Sequence, residues 1–422
     1  EFLAYIAFTR ARHVLGGCYT RAAAAGRPRR PSPLIARLRR LFPALAETTP
    51  PQPAGVRAAA AAAPPPAPAP PLPPALVRRL YPEPRYCSVS QLETFARCPF
   101  AHFAAYGLDL RPRVEARLDR PATGLLLHEA LYRVGRELAR QRIAWKDLVE
   151  AEGEALARAQ VEALVREKAL PTVHASYFAR VVARAVNLLV THARAGAFVP
   201  VALEAAFGPH GPWQPLELEA GDGPAYLVGR IDRVEAARAG NTWYVRVIDY
   251  KTGRGAGELP GAPGEEFQLA LYLAAARANA REWLPGEGEA VPAGFFTLPV
   301  VEPSLLARRP LEPGEAQQAR QRQLRLQGRL VGEEEVIRLM AGERVEERLP
   351  LSLKRDGTLG PPARLLSREQ MEDLLARARE RAGELAAAVY RGEIEAKPLR
   401  WGGATACRTC PFPAVCRRER GQ

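Results

Sequence analysis

The sequence predicts an α/β fold, and three observations carry that expectation. Two segments, Gly229-Arg-Ile-Asp-Arg-Val-Glu235 and Trp243-Tyr-Val-Arg-Val-Ile-Asp-Tyr-Lys251, are dominated by β-branched and aromatic residues. Ala239-Gly-Asn241 between them supplies a hairpin-like turn. Residues 133–195 carry Ala, Arg, Glu and Leu at helical spacing, and Glu369 to Arg391 reads as one long helix. Eleven prolines over 50–74, with an unbroken run from Ala58 to Ala63, cannot bury a core and mark the one clear boundary. The expected organisation is a first segment over 1–49, a Pro/Ala-rich linker over 50–85, and a second domain over 86–422.

At 422 residues the chain is long enough for two or three domains and a substantial core. Apolar residues at 47% and charged residues at 25% suit a globular protein. No run of 18 apolar residues is present, which argues against a membrane span, and the start shows no signal-peptide pattern. A cytoplasmic location is the expectation. A formal charge of +14 and a pI near 9.9 point to a polyanionic partner, DNA or RNA. Nearly all of that charge is arginine, which suits bidentate phosphate contacts, although an Ala/Arg/Pro/Gly composition bias would also produce it. The chain opens at Glu1 inside what reads as an element, so it is expected to be a piece of something longer.

Taken in order, Phe2-Leu-Ala-Tyr-Ile-Ala-Phe-Thr-Arg-Ala-Arg-His-Val-Leu15 reads as a strand running into a helix. It resembles the last conserved motif of superfamily 1 helicases, which implies a phosphate contact for Arg10 and a helicase-like remnant over 1–49. No G-x-x-x-x-G-K-[ST] loop occurs, so this chain alone is expected to hydrolyse no ATP. Ser90-Gln-Leu-Glu93 is a capping-box pattern for a helix through Phe103. Gly124 to Leu131 begins an amphipathic helix carrying His128; a lone histidine on such a face is usually structural. Val199 to Phe207 reads as the first core strand and carries Glu204, by the plain reading a solvated charge. Glu265 to Tyr272 forms a helix in which Gln268 and Tyr272, four apart, share a face. Phe295 to Pro299 reads as a strand, and 305–348 as charged and helical.

The chemistry concentrates at the paired strands. Period-two geometry sets Val245, Val247, Asp249 and Lys251 on one face and Tyr250 on the other. If the two strands pair antiparallel, Asp232 reaches the edge that carries Asp249. Two carboxylates beside a lysine suit a hard divalent cation and a phosphate. An exposed charge pair at a strand end is the bland alternative, but Asp249 and Lys251 follow an apolar run, where unpaired charge is costly. Lysine is also scarce, five among 60 basic residues.

These residues resemble the RecB-type PD-(D/E)xK nucleases, in which G-x-ID-R leads to V-x-DYKTG; here Gly229, Ile231-Asp232-Arg233 and Val247-Ile-Asp-Tyr-Lys-Thr-Gly253 stand in those places. The resemblance implies a restriction-endonuclease-like mixed sheet flanked by helices. It implies that Asp232, Asp249 and the Tyr250 carbonyl hold Mg²⁺ and that Lys251 orients the attacking water. It further implies that His128 faces the metal site, that Glu204 belongs to it, and that Gln268 and Tyr272 contact substrate.

Cys407-x-x-Cys410-x5-Cys416 ends the chain, and Cys98 stands far upstream. Such spacing points to metal before disulfide and leaves zinc and iron–sulfur open. A Cys-Pro-Phe helix before the core and C-x-x-C-x5-C after it resemble the AddB family of helicase–nuclease subunits. That resemblance implies a [4Fe–4S] cluster on Cys98, Cys407, Cys410 and Cys416, with Cys18 and Cys87 as bystanders. It implies a DNA exonuclease trimming broken duplex ends in recombinational repair, beside an AddA-type helicase–nuclease partner. The alternatives are a non-catalytic DNA-binding scaffold with a degenerate nuclease fold, and a stand-alone four-cysteine nuclease of CRISPR adaptation.

Overall fold

The computed structural model describes residues 9–16, 18–19, 30–48, 70–111, 120–171, 174–252, 265–286, 288–300, 324–342, 364–401 and 404–416, with 312, 314–316 and 319. The chain divides into two compact units, Glu1–Ala67 and Pro68–Gln422. In the first, helix α1 (Pro33–Leu41) starts at Ser32, whose hydroxyl accepts from the Leu34 amide at 3.3 Å. Pro33 follows at the first helical position, where its missing N–H has no cost. The helix buries no side chain. Most of the helicase-like stretch, residues 1–8, lies outside the described residues; Arg10 is exposed and no helix follows it over 11–16.

The second unit takes in residues 70–85, placed by the sequence in the linker. Helix α2 (Pro74–Leu80) buries Val77, and the Leu72 amide donates to the Gly392 carbonyl at 2.9 Å. Strand β1 (Tyr86–Ser88) leads into α3 (Val89–Arg97). The capping box is Ser88 with Gln91 and not Ser90 with Glu93: Ser88 Oγ accepts from the Gln91 amide at 3.2 Å, and Gln91 Oε1 accepts from the Ser88 amide at 2.7 Å. Two overlapping patterns compete, and the serine still in extended backbone takes the cap. Nor does the helix run unbroken to Phe103. Cys98 is extended, and α4 (Pro99–His102) restarts behind it because Pro99 cannot continue the helical hydrogen bonds.

Helix α5 (Arg120–Gln141) starts four residues before Gly124 and is followed by a 3₁₀ turn at Trp145–Asp147. Helices α6 (Glu150–Glu167) and α7 (Ala175–Ala195) pack on each other and on α5, as the composition of 133–195 predicts. The sheet is mixed. Strand β4 (Pro224–Ala239) pairs antiparallel with β2 (Val199–Phe207), β3 (Leu216–Glu219) and β5 (Thr242–Lys251), and parallel with β1. Gly240, at φ +60, supplies the left-handed residue that the short β4–β5 turn needs. Beyond β5 lie β6 (Glu289–Pro299), β7 (Gln327–Val331) and β8 (Leu365–Leu366), joined parallel, antiparallel and parallel in turn.

Helix α8 (Glu265–Ala278) makes the crossover from β5 to β6 that a parallel pair requires, and packs on both strands. The stretch 305–348, read as helical, holds β7 as well as α9 (Glu334–Ala341). Gly328 lets β7 approach, since a Cβ there would stand 1.9 Å from the Phe295 carbonyl oxygen. Helix α10 (Arg368–Tyr390) lies against α8 and β3. Among the described residues no helix is long and apolar enough to cross a membrane.

Candidate metal centre and cysteine pocket

The β4–β5 register sets Arg233 opposite Ile248 and Val234 opposite Val247. One step further, Asp232 and Asp249 face each other at the end of the ladder. Both are buried. Asp232 Oδ2 accepts from the Tyr250 amide at 2.6 Å, and the Tyr250 carbonyl accepts from His128 Nε2 at 2.9 Å. His128 Nδ1 stands 3.3 Å from Asp232 Oδ1. Helix α5 thus delivers an imidazole to the point where the two strands deliver carboxylates.

Glu204 comes from the other neighbour of β4. The β2 register, Leu203 with Arg233 and Ala205 with Ile231, places it across from Asp232. Its backbone has φ +48, a left-handed conformation that a non-glycine residue takes only where surroundings enforce it. Arg230 Nη1 lies 3.7 Å from Glu204 Oε2, while Oε1 is buried and has no hydrogen-bond partner among the described residues. Ligand atoms of His128, Glu204 and Asp232 all lie within 4.8 Å of one another. Asp249 is not one of this trio; its Oδ2 lies 2.7 Å from Lys251 Nζ.

The electrostatics are those of a site short of positive charge. Burial, then the Asp232 carboxylate, pushes Glu204 up to about 7. Burial and Asp232 likewise push Asp249 up to about 6, against the pull of Lys251. For His128, burial lowers the value, but Asp232, Asp249 and Glu204 outweigh it and the ring is raised. A buried carboxylate oxygen with no donor, two acids held above their ordinary range and an imidazole in the same cluster together fit a divalent cation.

Lys251 is aligned from α8. Its Nζ donates to Gln268 Oε1 at 3.2 Å, and Gln268 Nε2 donates to the Tyr272 hydroxyl at 3.2 Å. Tyr272 packs edge-on against Phe207 at 6.0 Å, and burial pushes its hydroxyl up. All the residues that the sequence assigns to the nuclease site therefore lie at one end of the β4–β5 pair. Sequence reasoning missed the charged residues on the reverse face, Arg233, Glu235 and Arg246, all buried. The signal was present in charges interleaved with apolar residues along both strands.

The cysteines gather elsewhere. Cys98, Cys407, Cys410 and Cys416 line one cavity of about 310 Å³, with Phe100, Ala101, Tyr106 and Phe412. Backbone hydrogen bonds bring the distant segments together: the Leu399 amide donates to the Arg97 carbonyl at 2.8 Å, and the Phe100 amide to the Glu395 carbonyl at 3.2 Å. Burial pushes the Cys98 thiol up, and Cys416 and Cys410 add to the rise. Among the described residues no three thiols are as close as the His128 trio. Four convergent thiols in an apolar pocket fit a metal centre. Cys18 is exposed and Cys87 is buried in the main core, both outside this group.

The sequence profile of the PD-(D/E)XK nuclease superfamily matches residues 86–417. A Moorella thermoacetica protein, named as one of the subunits of an ATP-dependent helicase/deoxyribonuclease, is 37% identical over 99% of this chain and 41% of its own length. Proteins of the same name from Desulforudis audaxviator and Bacillus subtilis are 34% and 31% identical, over 99% and 80% of this chain and 41% and 30% of theirs. The chain thus spans well under half the length of these relatives.

Proposed function

The chain belongs to the PD-(D/E)XK nuclease superfamily, and from that premise we propose that it is a Mg²⁺-dependent deoxyribonuclease. The convergence of His128, Glu204, Asp232, Asp249, the Tyr250 carbonyl and Lys251 at one strand end supports this reading most. Its relatives' name further suggests work as one component of an ATP-dependent helicase–nuclease. The partner would be an AddA-type protein, the substrate broken duplex DNA in the cytoplasm, the outcome exonucleolytic trimming for recombinational repair. Residues 1–49 would then close a helicase-like domain.

Asp232, Asp249 and the Tyr250 carbonyl would hold the cation, with His128 and Glu204 completing the set. When bound, it would supply Lewis acidity and neutralise charge on the phosphodiester. The remaining work falls to the chain's own groups. Lys251, fixed between Asp249 and Gln268, has N–H groups to orient a water and to meet negative charge developing on the phosphate. Tyr272, through Gln268, keeps that lysine pointed at the cluster. The four-cysteine pocket would hold a [4Fe–4S] cluster that pins the Cys98 segment to the C-terminal one, a structural clip closing a long loop.

An end-labelled linear duplex tests the reading. Cleavage is expected with Mg²⁺, none with EDTA, and none from Asp232→Ala, which should still bind DNA. Cleavage that survives both EDTA and Asp232→Ala would overturn it.

A further inference from the structure

Strands β4 and β5 carry charge on both faces. Behind the acidic cluster, Arg233, Glu235 and Arg246 are exposed by only 0%, 3% and 1%. Glu235 Oε1 accepts from Arg233 Nε at 2.5 Å, and Oε2 from Arg246 Nε at 2.7 Å. The Arg233 guanidinium lies 4.3 Å from the centre of the Trp145 ring, and Arg246 lies 4.5 Å from that of Phe198. Two arginines against one glutamate leave a positive charge in excess inside the fold. Both terminal nitrogens of Arg233, and Nη1 of Arg246, complete no hydrogen bond of good geometry among the described residues.

Stability does not explain such a group. Replacing a buried ion triad by apolar residues of similar volume is often neutral or stabilising. Position explains it better. Arg233 follows Asp232 and pairs with Ile248, so Tyr250, two residues on, shares its face as a diagonal neighbour. The guanidinium and the Tyr250 hydroxyl interact, without ideal hydrogen-bond geometry. The main chain of that same Tyr250 is bonded to Asp232 and His128. Trp145, on the other side of Arg233, stands in the 3₁₀ turn after the helix that carries His128 and packs beside Gly135 of that helix, where an added Cβ would meet its ring at 3.5 Å. A single guanidinium therefore stands beside the residue that presents the carbonyl and against the ring that packs on the helix presenting the imidazole.

We propose that Arg233, braced by Glu235 and Arg246, is a positioning residue that fixes Tyr250 and the His128 helix at the spacing a divalent cation needs, without touching cation or DNA. The inference rests on the metal-site reading above. Mn²⁺ uptake by the chelator-treated full chain, measured by calorimetry without DNA and beside thermal unfolding, tests it. Arg233→Met leaves Glu235 neutralised by Arg246; the triple variant Arg233→Met, Glu235→Leu, Arg246→Met removes all three buried charges.

Both variants should fold, the triple one unfolding at or above the wild-type temperature. Mn²⁺ affinity should fall by about 10–100-fold, as when groups that support metal ligands are removed. A folded variant with wild-type affinity overturns the proposal, whatever its unfolding temperature. Should neither fold, Tyr250→Phe decides, since it removes only the hydroxyl that Arg233 faces: reduced affinity supports the proposal, unchanged affinity overturns it. A wild-type chain that takes up no more Mn²⁺ than Asp232→Ala would instead sink the metal-site reading, and this inference with it.

Discussion

Replacing Asp249 by asparagine should separate stability from activity. The carboxylate is 7% exposed and is pushed from the ordinary 3.8 to about 6, by burial first and then by Asp232. In metal-free protein the folded chain therefore holds a proton that the unfolded chain releases between about pH 4 and 6. Stability falls as pH rises through that window, and above it the whole penalty stands. About two units at 1.36 kcal/mol each give roughly 3 kcal/mol. Asp249→Asn keeps the shape and removes the charge; the pull of Lys251 Nζ, 2.7 Å away, is already contained in that raised value. The net expectation is a gain of up to about 3 kcal/mol at pH 8 in EDTA, a rise of several degrees in Tm, shrinking toward zero near pH 4. Thermal unfolding followed by circular dichroism across that range measures it. Added Mn²⁺ at pH 8 should stabilise wild type more than the variant, and the variant should cleave no DNA. A variant no more stable than wild type at pH 8 in EDTA, or one whose advantage persists at pH 4, would refute the reasoning.

Two further outcomes follow from the same geometry. Lys251→Ala should retain DNA binding and lose about 10²–10³ in cleavage rate, the usual loss for a deleted charge-stabilising donor; single-turnover rates equal to wild type would rule out its assigned role. Cys98→Ser or Cys410→Ser, purified without oxygen, should lose iron, sulfide and visible colour and become protease-sensitive near residues 86–111 and 395–416, whereas Cys18→Ser and Cys87→Ser should change neither. Zinc in place of iron in the wild-type protein would exclude the cluster.

Local rules explain what the sequence made legible. Strands β4 and β5 are visible because β-branched and aromatic residues are concentrated in the segments 229–235 and 243–251, and the turn at Gly240 is visible because a glycine punctuates them. Gln268 and Tyr272 share a face by spacing alone, and they are hydrogen-bonded. The misplaced features depend on competition or on tertiary context. Ser88 and Ser90 offer equivalent caps, and only the end of β1 selects between them. Strand β7 lies in charged surroundings because its apolar residues are few and its partner β6 is far away in sequence. The buried Arg233–Glu235–Arg246 set breaks the rule that charge lies at the surface, and only the interleaving of these charges with apolar residues along both strands signals it.

The left-handed backbone of Glu204 belongs with that set. An L-residue in this conformation costs about 1–2 kcal/mol, and glycine would relieve it, but glycine has no carboxylate to place across from Asp232. The strain, the two acids held above their ordinary range and the uncompensated guanidinium all sit on β4 and the strands beside it, around Asp232 and Tyr250. Each alone destabilises the fold. Their concentration would suit the proposed cation site, because a ligand that binds only the folded chain returns free energy where the unbound site is least favourable. The β4–β5 end should accordingly be the part of the sheet that metal stabilises most. Hydrogen exchange at the Tyr250 amide, bonded to Asp232 at 2.6 Å, should slow on Mn²⁺ addition more than exchange at the Trp243 end of the same strand.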